Sequence, residues 1–381
     1  MSRPPSRVGR RALGALSALL SACASTPLGA PSDHLDGHRF RNPEPFESRG
    51  LMDVLRWKLG GSPAQPWPDF VPIEPAPPPP ARVTEGLRVT YVNHATVLVQ
   101  VAGLNLLTDP VWSDVVGPGG GIGQRRRKPP GLRFDDLPAI DVVLLSHDHY
   151  DHLDLPTLRR LKARDAPRVL AGLGTAVWLA DQGLPGAVDL DWWQSVSVGP
   201  ARITFTPARH ASRRGAFDGN QRLWGGFQVE AQGQRVFFAG DTGMGSHFAD
   251  IRERLGPPTL ALLPIGAYLP RWFMQPQHID PDEAVAAHRA LGAQHSLAIH
   301  WGTFRQADEG MNDPVQALAR ALDAQHPPTL DFRALDNGGS WSLHPGSALP
   351  SVTRPAAAAP VLPRPQAPGV TAAPGLTPGP G

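Results

Sequence analysis

Ser146-His147-Asp148-His149-Tyr150-Asp151-His152 follows the apolar run Ala139-Ile140-Asp141-Val142-Val143-Leu144-Leu145, and the reading of this junction decides the fold. An apolar run of that length predicts a buried strand, and the loop at its end can aim several side chains at one point. Four potential metal ligands, His147, His149, Asp151 and His152, fall within six residues. Imidazole nitrogen together with carboxylate oxygen suits zinc or a similar first-row ion. His147 and His149 lie two apart and can converge from an extended segment, whereas Asp151 and His152 sit on the next turn. One ion does not readily take all four; two adjacent ions do.

Other strand ends deliver the same chemistry. Ile203-Thr204-Phe205-Thr206-Pro207-Ala208-Arg209 leads to His210, Val236-Phe237-Phe238-Ala239-Gly240 to Asp241, and Ser296-Leu297-Ala298-Ile299 to His300. A lone histidine after a strand is ordinarily a satisfied structural residue. Five histidines and two aspartates, all delivered from strand ends, form a constellation. Leu104-Asn105-Leu106-Leu107-Thr108-Asp109-Pro110 predicts a further strand, and Asp109 at its end is placed to orient a ligand histidine from behind. Residues 87–92 and 96–101 predict paired strands with His94 in their turn, where hydrogen bonding rather than ligation is expected. A helix over 155–163, a strand over 168–170 and a helix over 174–182 then alternate as in an α/β domain. Asp280 as N-cap, Pro281 at the first helical position and Glu283 as the reciprocal cap specify a helix start. That cap fixes His278 two residues upstream, in a loop where it is expected to face the site and bind substrate.

His-x-His-x-Asp-His after a hydrophobic strand resembles the signature of the metallo-β-lactamase superfamily. Asp191-Trp192-Trp193, Gly240-Asp241-Thr242-Gly243, the loop 266–281 and His300-Trp301-Gly302-Thr303-Phe304 carry the likeness further. From about Phe40, through Asn42-Pro43 and Leu55-Arg56-Trp57, to about Leu343, the chain is similar to the N-acyl-phosphatidylethanolamine-hydrolysing phospholipase D family. The resemblance implies an α/β fold, a four-layer αββα sandwich with the site at one edge of its two sheets. It implies one zinc on His147, His149 and His210, a second on Asp151, His152 and His300, and Asp241 bridging them. It also implies that Tyr150 and His278 lie near the phosphate or acyl part of the substrate. One departure is Asp148, where the animal members have Asn; a carboxylate between two ligand histidines is expected to tune the charge around them.

Composition bounds the rest. Among 381 residues, 44 prolines and 40 glycines are too many for a compact fold throughout, and much of the excess lies at the two ends. The formal charge of +2 gives no argument for nucleic acid as a partner, and no zinc-finger, helix-turn-helix or stacking-platform signature is present. Cys23 is the single cysteine, so no internal disulfide is possible. Arg3, Arg7, Arg10 and Arg11 form a basic leader before an apolar run, 12–22, that is too short to span a bilayer. Leu20-Ser21-Ala22-Cys23 resembles the bacterial lipobox, in which the signal is removed and the cysteine becomes the lipid-modified first residue. The expected organisation is a signal peptide over 1–22, a proline-rich spacer with a short helix over 23–81, the hydrolase domain over 82–345 and a disordered Pro/Ala/Gly tail over 346–381. The expected location is the bacterial cell envelope, with a lipid anchor on the periplasmic face of the outer membrane. An ordinary cleaved signal with an incidental cysteine is the plainer alternative, and Arg10-Arg11 also permits a twin-arginine route. Residues 51–59 predict a short helix packed on the main domain in preference to one touching a membrane. Arg125-Arg126-Arg127-Lys128 predicts a solvated basic face, with attraction of phosphate headgroups as the sharper alternative.

The expected activity is that of a two-zinc phosphodiesterase in which a hydroxide shared by the ions attacks phosphorus. With N-acyl-phosphatidylethanolamine as the phospholipid substrate, the products are phosphatidate and N-acylethanolamine. Asp151, Asp241 and His278 are the residues expected to take part in catalysis. Lactonase or β-lactamase chemistry on the same centre is a rival, and so is a non-catalytic envelope lipoprotein with a structural metal site.

Overall fold

The computed structural model describes residues 32–42, 44–46, 49–60, 64–325 and 330–344. The leader, Cys23 and the 346–381 tail, with the boundaries expected at 22/23 and 345/346, lie outside the described residues. Fourteen strands form two seven-stranded sheets. The first sheet holds β1 (Leu87–Asn93), β2 (Thr96–Val101), β3 (Leu104–Thr108), β4 (Val142–Leu144), β5 (Arg168–Gly172) and β6 (Val188–Leu190). The second holds β7 (Ser195–Val198), β8 (Ala201–Thr206), β9 (Gly226–Ala231), β10 (Gln234–Phe238), β11 (Leu260–Pro264), β12 (His295–Ile299) and β13 (Asp331–Arg333). The last strand, β14 (Ser340–Leu343), returns to pair with β1 in the first sheet. The orders are β6-β5-β4-β3-β2-β1-β14 and β7-β8-β9-β10-β11-β12-β13.

The apolar runs are continuous because both faces of the first sheet are covered. Val97, Val99, Leu106, Val142 and Leu144 belong to the core that also contains Ile203, Phe205, Phe227, Val229 and Phe238 of the second sheet. The residues between them, Leu98, Leu107, Val143 and Leu145, turn the other way. They meet Leu158 and Leu161 of α2 (Leu155–Arg164) and Leu179 of α3 (Thr175–Asp181). Beyond the second sheet, α5 (Pro281–Leu291) packs on β11, with α4 (His247–Leu255) and α6 (Asp313–Asp323) beside it. The layers are therefore helix, sheet, sheet, helix.

Strand direction positions the site. β3, β4, β5 and β6 run parallel, as do β10, β11, β12 and β13. Two antiparallel steps bring β8 into the direction of β10. The carboxyl ends of β3, β4, β8, β10 and β12 thus open at strand ends of the kind where open α/β sheets place ligands. Gly240, with φ +62°, lets β10 end against the first sheet: a Cβ there would lie 2.6 Å from Ser146 Cβ.

Two expectations need correction. Of the expected spacer, the described residues 64–81 are extended, as their prolines demand, but they are laid along the domain. Phe40 is buried in the main core, Trp57 of α1 (Leu51–Leu59) donates to Asp308 Oδ2 at 2.6 Å, and Trp67 donates to the Glu309 carbonyl at 2.8 Å. Val71 N–H and Ala76 N–H bond the carbonyls of Arg127 and Gly131. The helix does pack on the domain, with Trp57 against Phe273. The basic run 125–128 is not a solvated face, because Arg126 and Lys128 are buried. Arg126 bonds Asn93 Oδ1 at 3.0 Å and the Val111 carbonyl at 2.9 Å, Arg127 pairs with Asp69, and Lys128 pairs with Asp336. Only Arg125 of the four is exposed. Among the described residues no helix is long and apolar enough to cross a membrane.

Candidate metal centre

The seven residues expected to ligate arrive from four places in the chain and meet at one edge. His147, His149, Asp151 and His152 follow β4, where His152 N–H and Leu153 N–H both bond the His149 carbonyl and close a tight turn. His210 follows β8, Asp241 follows β10 and His300 follows β12. His147 Nε2 lies 2.9 Å from His149 Nδ1, which lies 3.3 Å from His210 Nε2. Asp151 Oδ2 lies 3.1 Å from His152 Nε2 and 3.5 Å from His300 Nε2. Asp241 Oδ2 stands between the two sets, 3.2 and 3.1 Å from His152 and His300 Nε2 and 4.0 Å from both His147 and His210 Nε2. Ligands on one tetrahedral ion, with bonds of about 2.0–2.1 Å, stand roughly 3.3 Å apart. Each set has that spacing.

The hydrogen bonds behind the rings fix which nitrogen is free. A carbonyl or carboxylate only accepts, so His210 Nδ1–H donates to the Gln277 carbonyl at 3.0 Å, and His152 Nδ1–H to Asp109 Oδ2 at 2.6 Å. His147 Nδ1 meets Ser146 Oγ at 2.9 Å, and that hydroxyl donates to Asp109 Oδ2 at 2.5 Å. The Nε2 lone pairs of all three rings therefore face inward. Asp109 stands behind His152, where its place at the end of β3 puts it.

Buried atoms in the cluster also lack hydrogen bonds. None is made by His152 Nε2, either ring nitrogen of His300, Asp241 Oδ1 or His278 Nδ1, although Asp241 Oδ2 stands close to His152 and His300 Nε2. Buried polar atoms are ordinarily hydrogen-bonded, and a cation among these donors satisfies them. The chemistry of the donor set, nitrogen and carboxylate oxygen, fits such an ion.

Charge divides the cluster. Burial drives His147 and His210 well below the usual imidazole range, with neighbouring histidines adding to it for both; His149 is also lowered, by burial. Those three are neutral and ready to ligate. Burial would depress His152 and His300 too, but the carboxylates of Asp241 and Asp151 outweigh it, raising His152 well above its usual value and His300 to about 9. Burial pushes Asp151 and Asp241 upward, and the same imidazoliums more than reverse it. Without an ion the cluster balances its buried carboxylates with protons. Below pH 9 those protons compete with metal, and the competition fades as pH rises through the His300 value of about 9. Loading stripped protein at pH 7 is therefore expected to release about two protons per chain. Calorimetric titration in buffers of different ionisation enthalpy measures this; metal uptake without proton release would contradict it.

His278 is brought to the same place. Its Nδ1 lies 3.9 Å from Asp241 Oδ2, and its ring is 5.6 Å from that of His300. The capping box below it is formed, with Asp280 Oδ1 accepting from Glu283 N–H at 2.8 Å. Tyr150, next to His149 in the chain, is held from outside: its hydroxyl donates to the Arg214 carbonyl at 2.8 Å and the Arg214 guanidinium sits 4.0 Å over its ring. Asp148 points away from the donor sets. Its Oδ1 accepts from Arg213 N–H at 2.8 Å and its Oδ2 from Arg222 Nε at 2.5 Å, so it ties the 213–222 loop to the metal loop. Its charge still reaches His149 and favours the protonated ring. Two contacts escaped the sequence. His94 Nε2 lies 2.8 Å and Gln306 Nε2 2.6 Å from Asp151 Oδ2. His94 has a place in a strand turn as its only signal, and Gln306 has none.

Residues 104–301 match the β-lactamase superfamily domain. The chain is a metal-dependent hydrolase of the metallo-β-lactamase superfamily. It is 35% identical over 331 residues to N-acyl-phosphatidylethanolamine-hydrolyzing phospholipase D 1 of Caenorhabditis elegans, covering 80% of this chain and 93% of that one. Within the superfamily it belongs to the family of that relative. The mitochondrial N-acyl-phosphatidylethanolamine-hydrolyzing phospholipase D of Saccharomyces cerevisiae is 35% identical over 57% of this chain and 47% of its own length. Among solved structures, isothiocyanate hydrolase from Delia radicum gut bacteria is 18% identical and superposes with a TM-score of 0.55 over 68% of this chain and all of its own, a likeness of fold alone.

Proposed function

We propose that this chain is a two-zinc phosphodiesterase of the phospholipase D type, cleaving N-acyl-phosphatidylethanolamine-like phospholipids to phosphatidate and N-acylethanolamine. The observation that carries the reading is the place of Asp241 Oδ2 between two three-donor sets. The names of the nematode and yeast relatives support the substrate class.

In this reading His147, His149 and His210 would hold one ion, Asp151, His152 and His300 the other, and Asp241 would serve both. The bound pair supplies activation of water near neutral pH and neutralises charge on the phosphoryl oxygens. Asp109, through His152, and the Gln277 carbonyl, through His210, keep the ligating nitrogens turned inward. His278 is uncharged at neutral pH, because burial lowers it to about 4 despite the pull of Asp241. A neutral imidazole offers a donor and an acceptor, and this one orients the phosphoryl or leaving oxygen of the substrate. His278→Ala is expected to keep its metal and lose about 10²-fold in turnover, the scale of one positioned donor. Unchanged turnover would remove His278 from the mechanism. Assaying N-acyl-phosphatidylethanolamine, a lactone and a β-lactam on one preparation tests the substrate class: turnover confined to the last two would overturn the phosphodiesterase reading, and no turnover of any would favour a structural metal site.

We also propose that an acylated Cys23 holds the protein on the periplasmic face of the bacterial envelope, at the outer membrane. The support is the Leu20-Ser21-Ala22-Cys23 pattern after a basic leader and short apolar run. Cys23→Ala is expected to move the protein from the detergent phase to the aqueous phase in phase partition of expressing cells. A wild-type protein found wholly in the aqueous phase would contradict the anchor.

A further inference from the structure

The carboxylate oxygen that faces the second donor set also accepts two hydrogen bonds from outside it. Asp151 Oδ2 receives His94 Nε2 at 2.8 Å and Gln306 Nε2 at 2.6 Å. A carboxylate oxygen only accepts, so His94 carries its proton on Nε2 and Gln306 turns its NH₂, not its carbonyl, toward Asp151. Both donors are built into the frame that carries His300. His94 N–H bonds Thr303 Oγ1 at 3.1 Å, and the His94 carbonyl accepts from His300 N–H at 2.7 Å. Phe304 lies edge-on to the His94 ring at 5.2 Å, and Gln306 follows it by two residues. His94 holds a left-handed backbone, φ +48°, which a histidine adopts only where its surroundings fix it. The turn between β1 and β2 and the loop after β12 thus close on Asp151 from two sides.

We infer that His94 and Gln306 are positioning residues, a two-donor clamp that fixes the Asp151 carboxylate so that it faces the position where it would share an ion with His152 and His300. A carboxylate free to rotate exchanges its two oxygens and blurs the ligand geometry; two donors on one oxygen remove that freedom. Partners behind a metal ligand are worth about 10- to 100-fold in metal affinity. Gln306 is the member to replace, since it is half-buried at the edge of the site whereas His94 is buried among the ligands.

The inference rests on the two-ion reading, and the test separates them. Zinc affinity is measured by competition with a chromophoric chelator in two backgrounds, His149→Ala, which leaves the Asp151 set, and His300→Ala, which leaves the His147 set. Gln306→Leu is expected to weaken zinc about tenfold in the first background and not at all in the second. Gln306→Glu, of the same size but without a donor and with a repelling charge, should weaken it further, again only in the first. Unchanged affinity in the first background would overturn the clamp and leave two ions standing. Equal losses in both backgrounds would also overturn it, as the mark of a general loss of structure. A His149→Ala protein that binds no zinc while His300→Ala binds one would overturn the two-ion reading and the clamp together.

Discussion

Asp241→Ala is expected to weaken metal binding at both positions and to lower turnover by at least about 10³-fold, beyond the cost of removing a single electrostatic contact. Asp241 Oδ2 approaches the inward-facing nitrogens of both donor sets. Its loss also changes the charge of the site. His152 and His300 are raised largely by Asp241, against burial, and without it both fall toward the neutral form. The second set would then present two neutral rings and one carboxylate to a dication, and the first set three neutral rings, with nothing joining them. His149→Ala differs in kind, because it dismantles one set and leaves Asp151, His152, His300 and Asp241 in place. It should retain one ion per chain and still lose turnover. Elemental analysis with circular dichroism as a check on folding separates these outcomes; full activity in either variant would sink the proposed mechanism.

Arg222→Ala should be the most destabilising single change in the loop that flanks the site. Asp148 is fully buried beside the metal loop, with Arg222 Nε on Oδ2 and Arg213 N–H on Oδ1. Arg222 also reaches Asp218 Oδ2 at 2.5 Å. Removing one partner of a buried pair leaves an uncompensated charge and costs about 3–5 kcal/mol. In a domain of this size that lowers Tm by roughly 5–15 °C. Asp148→Asn should cost less, since an amide oxygen still accepts a hydrogen bond and Arg222 keeps Asp218. Combining Arg222→Leu with Asp148→Asn should recover part of the loss, as replacing both members of a buried pair is often near neutral. Thermal unfolding of metal-saturated protein measures the series. Equal Tm for wild type and Arg222→Ala would mean that water reaches Asp148.

What could be read from residues alone was what lies close in sequence or repeats a strong pattern. The apolar runs before His147, His210, Asp241 and His300 mark buried strands because both sheet faces are covered, and their common direction within each sheet then carries their ends to one edge. The cap at Asp280 is local and forms as its spacing requires. Contacts made between distant parts of the chain leave no such mark. Arg126 and Lys128 look like a solvated run until Asn93 and Asp336 fold against them. The strap of residues 64–81 looks like a spacer because prolines stiffen a free linker and a docked one alike, and docking depends on partners such as Gly131 and Glu309. His94 and Gln306 reach Asp151 from 57 and 155 residues away. Asp148 was legible as a carboxylate between two histidines; that it turns toward Arg222 depends on a loop 74 residues downstream.

The most direct measurement is metal content per chain by elemental analysis, on wild type, His149→Ala and His300→Ala purified under identical conditions. About two zinc for the wild type and about one for each variant is the expected result, because the two donor sets are separate and share only Asp241. One zinc in the wild type, lost altogether in one variant and kept in the other, would contradict a centre built for two ions.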